Sequence, residues 1–174
     1  MKLLLLLATL AFFGYTENDG TMKVNHLTSC NMIYNKAYTL GDTLQTGWYY
    51  VTEKPNGIKR HLDKDTVSSF INPVPIMTVY HIEKTEIVTN SFGNKIFLMR
   101  FDEVGKKLWS NATLRTVGGH LAFIVDNKLI FTAKVNGPVT EGVASVNRGK
   151  SYEVHLENIK TIIDKEKQLS KNVK

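Results

Sequence analysis

The sequence predicts an α+β domain: a mainly antiparallel sheet with two helices packed on one face. Three observations lead there. β-prone apolar runs recur from Gly47 onward, separated by short turns; only two stretches carry helical periodicity; and hairpin-length connections outnumber crossovers.

The first strand is Trp48-Tyr49-Tyr50-Val51. Lys54-Pro55-Asn56-Gly57 is a turn, since proline presets φ and Asn-Gly tolerates positive φ. Residues 58–62 return as a second strand, so a hairpin is expected. Asn72-Pro73-Val74-Pro75 should break the chain, because each proline bars helix and removes a ladder donor. Residues 76–82 form the next strand, followed by a charged segment at 83–86 and the strand Lys95-Ile96-Phe97-Leu98-Met99-Arg100-Phe101. Asp102 is placed to cap a helix whose positive end Glu103 favours. Val104, Leu108 and Ala112 fall on one face of that helix, with Trp109 beside them, and Gly118-Gly119 ends it. Residues 120–125 and 129–134 flank the polar turn Asp126-Asn127-Lys128 and make a hairpin. Period-two facing puts Phe123 and Val125 in the core, with Asp126 and Asn127 exposed at the tip and Asn127→Gly nearly silent. Gly137-Pro138 is another break, and residues 143–146 are a last short strand. Ser151 is expected to cap a final helix with Leu156, Ile159 and Ile163 as its apolar stripe.

At 174 residues the chain has room for one domain with a real core. After the N-terminus no apolar span reaches bilayer length, so no transmembrane segment is expected beyond it. Met1-Lys2 and the apolar run 3–13, broken only by Thr9 and closed by Gly14, suit a secretory signal. The organisation expected is therefore a signal peptide over 1–14, a polar tether over 15–45 and the domain over 46–174. Ala11-Phe12-Phe13-Gly14 looks like a lipoprotein signal, except that Tyr15 stands where the lipidated cysteine belongs. Cys30 follows Leu27-Thr28-Ser29, but the polar stretch before it, with Glu17 and Asp19, supplies no apolar region. One cysteine also rules out an intramolecular disulfide.

Catalytic and metal chemistry find little support. His26, His61, His81, His120 and His155 lie far apart, and no cysteine pair completes a zinc site. Asp63-Lys64-Asp65 begins like a calcium loop, but Val67 and Ser68 occupy the places of the next ligand and the turn glycine. Gly-x-Ser-x-Gly, Ser-x-x-Lys and phosphate-cradling glycine loops are absent. Asp102, Glu103 and Asp126 are candidates for paired carboxylates, better explained as cap and turn residues. Asn111-Ala112-Thr113 matches a glycosylation sequon by letters, on an expected helix. No catalytic, cofactor-binding or metal residue is therefore assigned, and no cofactor is expected. A net charge of +6 is too modest to suggest nucleic acid; Lys160, Lys165, Lys167, Lys171 and Lys174 leave peripheral membrane association open.

From Lys95 onward the chain resembles the head subdomain of the first periplasmic domain of SecD/SecDF, the translocation accessory protein. The resemblance rests on the strand 97–101, the helix start Asp102-Glu103-Val104-Gly105-Lys106-Lys107, Thr113, and the run from Val117-Gly118-Gly119-His120 to Asp126-Asn127-Lys128. Pro138-Val139-Thr140-Glu141-Gly142 looks like the family's Pro-Ile-x-x-Gly stretch, and residues 151–163 sit where its closing helix lies. Residues 47–82 look similar to small exported proteins and lipoproteins of gut Bacteroidetes that carry this head alone. The family's transmembrane helices and ferredoxin-like base have no counterpart in this sequence.

The resemblance implies a non-enzymatic recognition module in the periplasm or cell envelope of a Gram-negative bacterium, with a protein or extended polypeptide as partner. An open sheet edge, with residues 76–82 as first choice, would take up a peptide by β-augmentation. The alternative is a small-ligand-binding domain whose aromatic pocket, lined by Trp48, Tyr49, Tyr50 and Trp109, holds an apolar or sugar ligand. The sequence assigns no binding residue.

Overall fold

The structure, a computed structural model, describes residues 42–53, 57–62 and 68–171. The expected signal, residues 15–41 of the tether, Cys30, the Pro55-Asn56 pair of the first turn, and Asp63 and Asp65 lie outside the described residues.

Among the described residues eight strands and two α-helices follow in the order β1 (Gly47–Thr52), β2 (Ile58–His61), β3 (Ser68–Thr78), β4 (Ile82–Thr89), β5 (Lys95–Phe101), α1 (Glu103–Arg115), β6 (His120–Val125), β7 (Lys128–Lys134), β8 (Val143–Val146) and α2 (Leu156–Lys171). The α+β class with mainly antiparallel strands and two helices is as the sequence predicts. The strands divide into two sheets, ordered β2-β3-β1-β6-β7 and β4-β5-β8, and every named pairing is antiparallel.

Several expectations need correction. β1 and β2 do not form a hairpin, because β3 lies between them. Ile71 of β3 is fully buried and pairs with Val51 on one side and Ile58 on the other. An apolar residue that buries between two strands holds the sheet better than a two-strand ribbon with one solvated side. The prolines do not break the chain either. β3 runs through Pro73 and Pro75, but the β1 ladder shifts register on both sides of Tyr49, which faces Pro75. The Val74 amide is accepted by Asn72 Oδ1 at 2.9 Å. Proline in a strand is tolerated where the ladder is already irregular.

Residues 76–82 are not one strand. Met77 and Thr78 pair with β1, Val79–His81 makes a 3-10 turn, and Ile82 opens β4, so this segment carries the chain from one sheet to the other. The charged residues 83–86 belong to β4. Ser151 caps nothing, because a 3-10 segment, Lys150–His155, precedes α2 and no side chain caps it. Leu156, Ile159 and Ile163 do form the buried stripe of α2. In α1 the buried face is Gly105, Trp109, Ala112 and Thr113, while Val104 is exposed. Asp102 caps that helix as expected, its carboxylate accepting from Gly105 N at 2.6 Å.

Two cores result from strands with apolar residues on both faces. β1 turns Trp48 into the main core, shared by both sheets and both helices, and Tyr49 into a second, smaller one. β6 does the same: Leu121, Phe123 and Val125 join the main core, and Ala122 and Ile124 the second. The second core exists because the five-stranded sheet curls until its edges meet at a bridge between Leu62 and Leu129. Arg60 of β2 fastens this closure, donating to the Asn127 carbonyl at 3.1 Å and to the carbonyl of Asp42.

Candidate binding cleft

An antiparallel sheet ends in strands whose outer backbone groups have no ladder partner. β7 ends the larger sheet, with its Leu129 bridged to Leu62, and β8 ends the smaller one. Ala133 and Lys134 of β7 and Val143, Ala144 and Ser145 of β8 line one cleft of about 320 Å³. Its position follows from packing. α1 pins the loop after β7, since Thr113 Oγ1 accepts from Val139 N at 2.9 Å and donates to the Trp109 carbonyl at 2.9 Å.

Trp48 from β1 and Trp109 from α1 also line this cleft. Their rings lie 4.8 Å apart at 59°, Trp48 stacks on Phe123 at 4.9 Å, and Trp109 meets Phe101 at 5.4 Å. Trp48 is 1% exposed and Trp109 5%, yet neither indole N–H has an acceptor among the described residues. Indole is donor-only, and a buried donor left unmade costs roughly 1–3 kcal/mol. Both tryptophans also belong to the main core.

The four-aromatic pocket foreseen from sequence thus forms only in half. Trp48 and Trp109 come together, whereas alternation along β1 sends Tyr49 to the second core, where its hydroxyl donates to the Gln45 carbonyl at 2.8 Å. Tyr50 is half-buried and packs against the main core. The sequence carries no signal for the β7–β8 juxtaposition, since it depends on how two separate sheets meet. The lining is nearly neutral: Lys134, exposed at the end of β7, is its single charged residue.

Elsewhere, two wider grooves of about 430 and 730 Å³ meet at Tyr80, which is exposed beside Val104 and Leu169. His81 Nδ1 lies 3.3 Å from Asp102 Oδ2, next to the helix cap. Glu86 is held below its ordinary carboxylate range by its hydrogen bond to Lys84, opposed by desolvation and helped by the charges of Lys84 and Arg100. These are surface features of β4 and its neighbours. Among the described residues no three His, Cys, Asp or Glu side chains gather as a metal site would require, and no helix is long and apolar enough to cross a membrane.

Comparison with known proteins fits this architecture. A family model described as SecDF, P1 head subdomain, matches residues 57–155, more than half of the chain. The protein translocase subunit SecD of Acidaminococcus fermentans is 25% identical over 75 residues, which are 43% of this chain and 18% of that protein. The chain therefore spans about a fifth of that relative's length. A crystal structure of SecDF in its super-membrane-facing form shares the fold over 77% of this chain and 20% of its own, with a TM-score of 0.54 at 15% identity. A second structure, of a membrane component SecDF that enhances protein export, matches over 83% of this chain and 70% of its own, with a TM-score of 0.51 at 16% identity. The chain belongs to the SecDF P1 head subdomain family.

Proposed function

We propose that this chain is a non-enzymatic, exported envelope module that binds protein, most simply as extended polypeptide. Membership of a head-subdomain family whose matched relatives serve protein translocation and export supports a polypeptide partner. The observation that carries the reading is a nearly neutral cleft flanked by the part of β7 beyond its Leu62–Leu129 bridge and by β8, strands with no further ladder partner on that side among the described residues, since an extended chain can add to such edges through its backbone. On this reading residues 1–14 act as an export signal, the polar stretch after them as a tether, and the domain works in the periplasm or envelope, with peripheral membrane contact through its lysines. The two indoles at one cleft favour the second reading, a small-ligand pocket.

An array of unrelated unfolded peptides, together with crosslinking and capture from the native envelope, tests this. Backbone-driven binding predicts that such peptides compete with one another at micromolar or weaker affinity, because ordering a flexible chain offsets much of the gain. Absence of any peptide or protein partner, alongside saturable binding of a small apolar or sugar ligand, would overturn it.

A further inference from the structure

We propose that the tip of the β4–β5 hairpin, which carries Phe92, inserts into the surface of an anionic lipid bilayer, with Lys95, Arg148 and Lys150 against the headgroups. This rests on the peripheral membrane contact in the reading above and gives it a location. Lys167, whose ammonium donates to the Glu83 carbonyl at the start of β4, lies at the other end of that strand.

The tip is built for a water-poor interface. Phe92 is 86% exposed, more than any other large hydrophobic side chain among the described residues. Its turn is nevertheless closely bonded. Asn90 Oδ1 accepts from Phe92 N and from Asn94 N, each at 3.0 Å. Gly93 N donates to the Asn90 carbonyl at 3.0 Å and Asn90 N to the Asn94 carbonyl at 2.9 Å. Lys95 N donates to Glu153 Oε1 at 2.7 Å. On an ordinary exposed turn water would serve these amides. Backbone that enters a lipid interface must have them satisfied from within, as they are from Phe92 to Lys95. The tip also stands clear of the body: a Cβ at Gly93, at φ 76°, would meet nothing within 4 Å.

Charge around the tip selects the partner. β5 pairs Phe97 with Val146 in antiparallel register, so Lys95 starts β5 at the same end where residues 147–150 leave β8. Lys95 and Lys150 are exposed, and the Arg148 guanidinium lies over the Tyr152 ring at 4.1 Å. Within residues 88–96 and 147–155 these three cations meet one acid, Glu153, whose carboxylate already accepts from Lys95 N. Val154, next to it and 78% exposed, adds a second apolar side chain at this end. Apolar side chains set among cations fit an anionic bilayer, where the ring enters the acyl boundary and the long basic side chains stay at the phosphates. A specific protein interface buries about 800 Å² per partner over a matched surface, which a narrow tip does not offer. A bilayer needs no matched shape.

Because Trp48 and Trp109 are only 1% and 5% exposed, an indole introduced by Phe92→Trp reports on the tip. The full chain with this substitution is mixed with vesicles of phosphatidylglycerol and phosphatidylcholine in equal parts, the phosphatidylcholine brominated in its acyl chains. The unsubstituted chain gives the baseline. The expected result is a blue shift and saturable quenching of the added indole, absent with phosphatidylcholine vesicles and reversed by high salt. Adding Lys150→Gln should raise the lipid concentration needed for half-quenching about fivefold, the effect of one cation near an anionic surface. Both positions are exposed, so circular dichroism should show the fold unchanged. Vesicle binding that leaves the added indole unshifted and unquenched, through the apolar run 3–13 or the C-terminal lysines, overturns the tip and leaves membrane contact intact. No vesicle binding overturns both. Equal quenching by phosphatidylcholine alone overturns the anionic partner. A photoreactive phenylalanine analogue at position 92 that yields a protein adduct and no lipid adduct in the native envelope would assign the tip to a protein and overturn the proposal.

Discussion

Asn127 shows how a single turn residue acquires a second role. It sits at φ 62° beside Asp126 at φ 48°, a two-residue turn that asparagine and aspartate tolerate, which is why the hairpin was readable. The sequence gives no hint that its side chain also accepts from Leu44 N at 2.8 Å and from Arg60. Asn127→Gly keeps the turn but removes both bonds. It should therefore cost about 1–3 kcal/mol in a urea melt, the penalty for a part-buried donor left without its partner, and speed hydrogen exchange at the Leu44 amide. The silent substitution expected from an exposed tip would leave both measurements unchanged.

α1 carries the clearest conflict between local and tertiary rules among the elements. Alanine outranks glycine in a helix interior by about 1 kcal/mol, so Gly105→Ala looks stabilising from the sequence. In the fold, a Cβ at Gly105 would lie 2.9 Å from the His81 carbonyl oxygen and 2.9 Å from Phe101 Cβ. The helix start is pressed against the 3-10 turn that links the two sheets, and backbone there has little room to give. Overpacking of this kind costs about 1–3 kcal/mol, enough to cancel or exceed the propensity gain. Thermal melts should show Gly105→Ala destabilised; a rise in Tm would mean that α1 does not pack as closely as described. The glycine of the family-like start Asp102-Glu103-Val104-Gly105 thus has a packing reason.

At the scale of the whole molecule, the described residues form two cores joined through β1 and β6, and packing extends ahead of the apolar pattern. Leu44, within the polar stretch, is 2% exposed in the second core, and Thr46 bonds to Glu166 of α2 at 2.8 Å. Leu44→Ala should destabilise the domain by about 2–4 kcal/mol. Because the strands that line one core line the other on their opposite faces, unfolding should remain a single transition by both tryptophan fluorescence and far-ultraviolet circular dichroism. Two separated transitions would show that the curled sheet folds independently of the main core.

Much of this was decided locally. Residues 95–101 alternate, Asp102 caps, residues 120–125 and 129–134 flank a turn with positive φ, and Leu156, Ile159 and Ile163 recur at helical spacing. Each of these signals depends on neighbours in the chain, and each element forms, although the last helix begins at Leu156 and not at Ser151. The class followed from them. What only the tertiary structure decided involves partners distant in sequence: β3 between β1 and β2, the strand that survives two prolines, the turn at Val79–His81, and the closure of Leu62 on Leu129. Strand order is set by which apolar faces can be buried together, a property of the assembled sheet that no single strand carries. The cleft belongs to the same class. Trp48 and Trp109 were visible as candidates, but the meeting of their indoles at two sheet edges, with both N–H groups unbonded among the described residues, arises only when β1 and α1 pack.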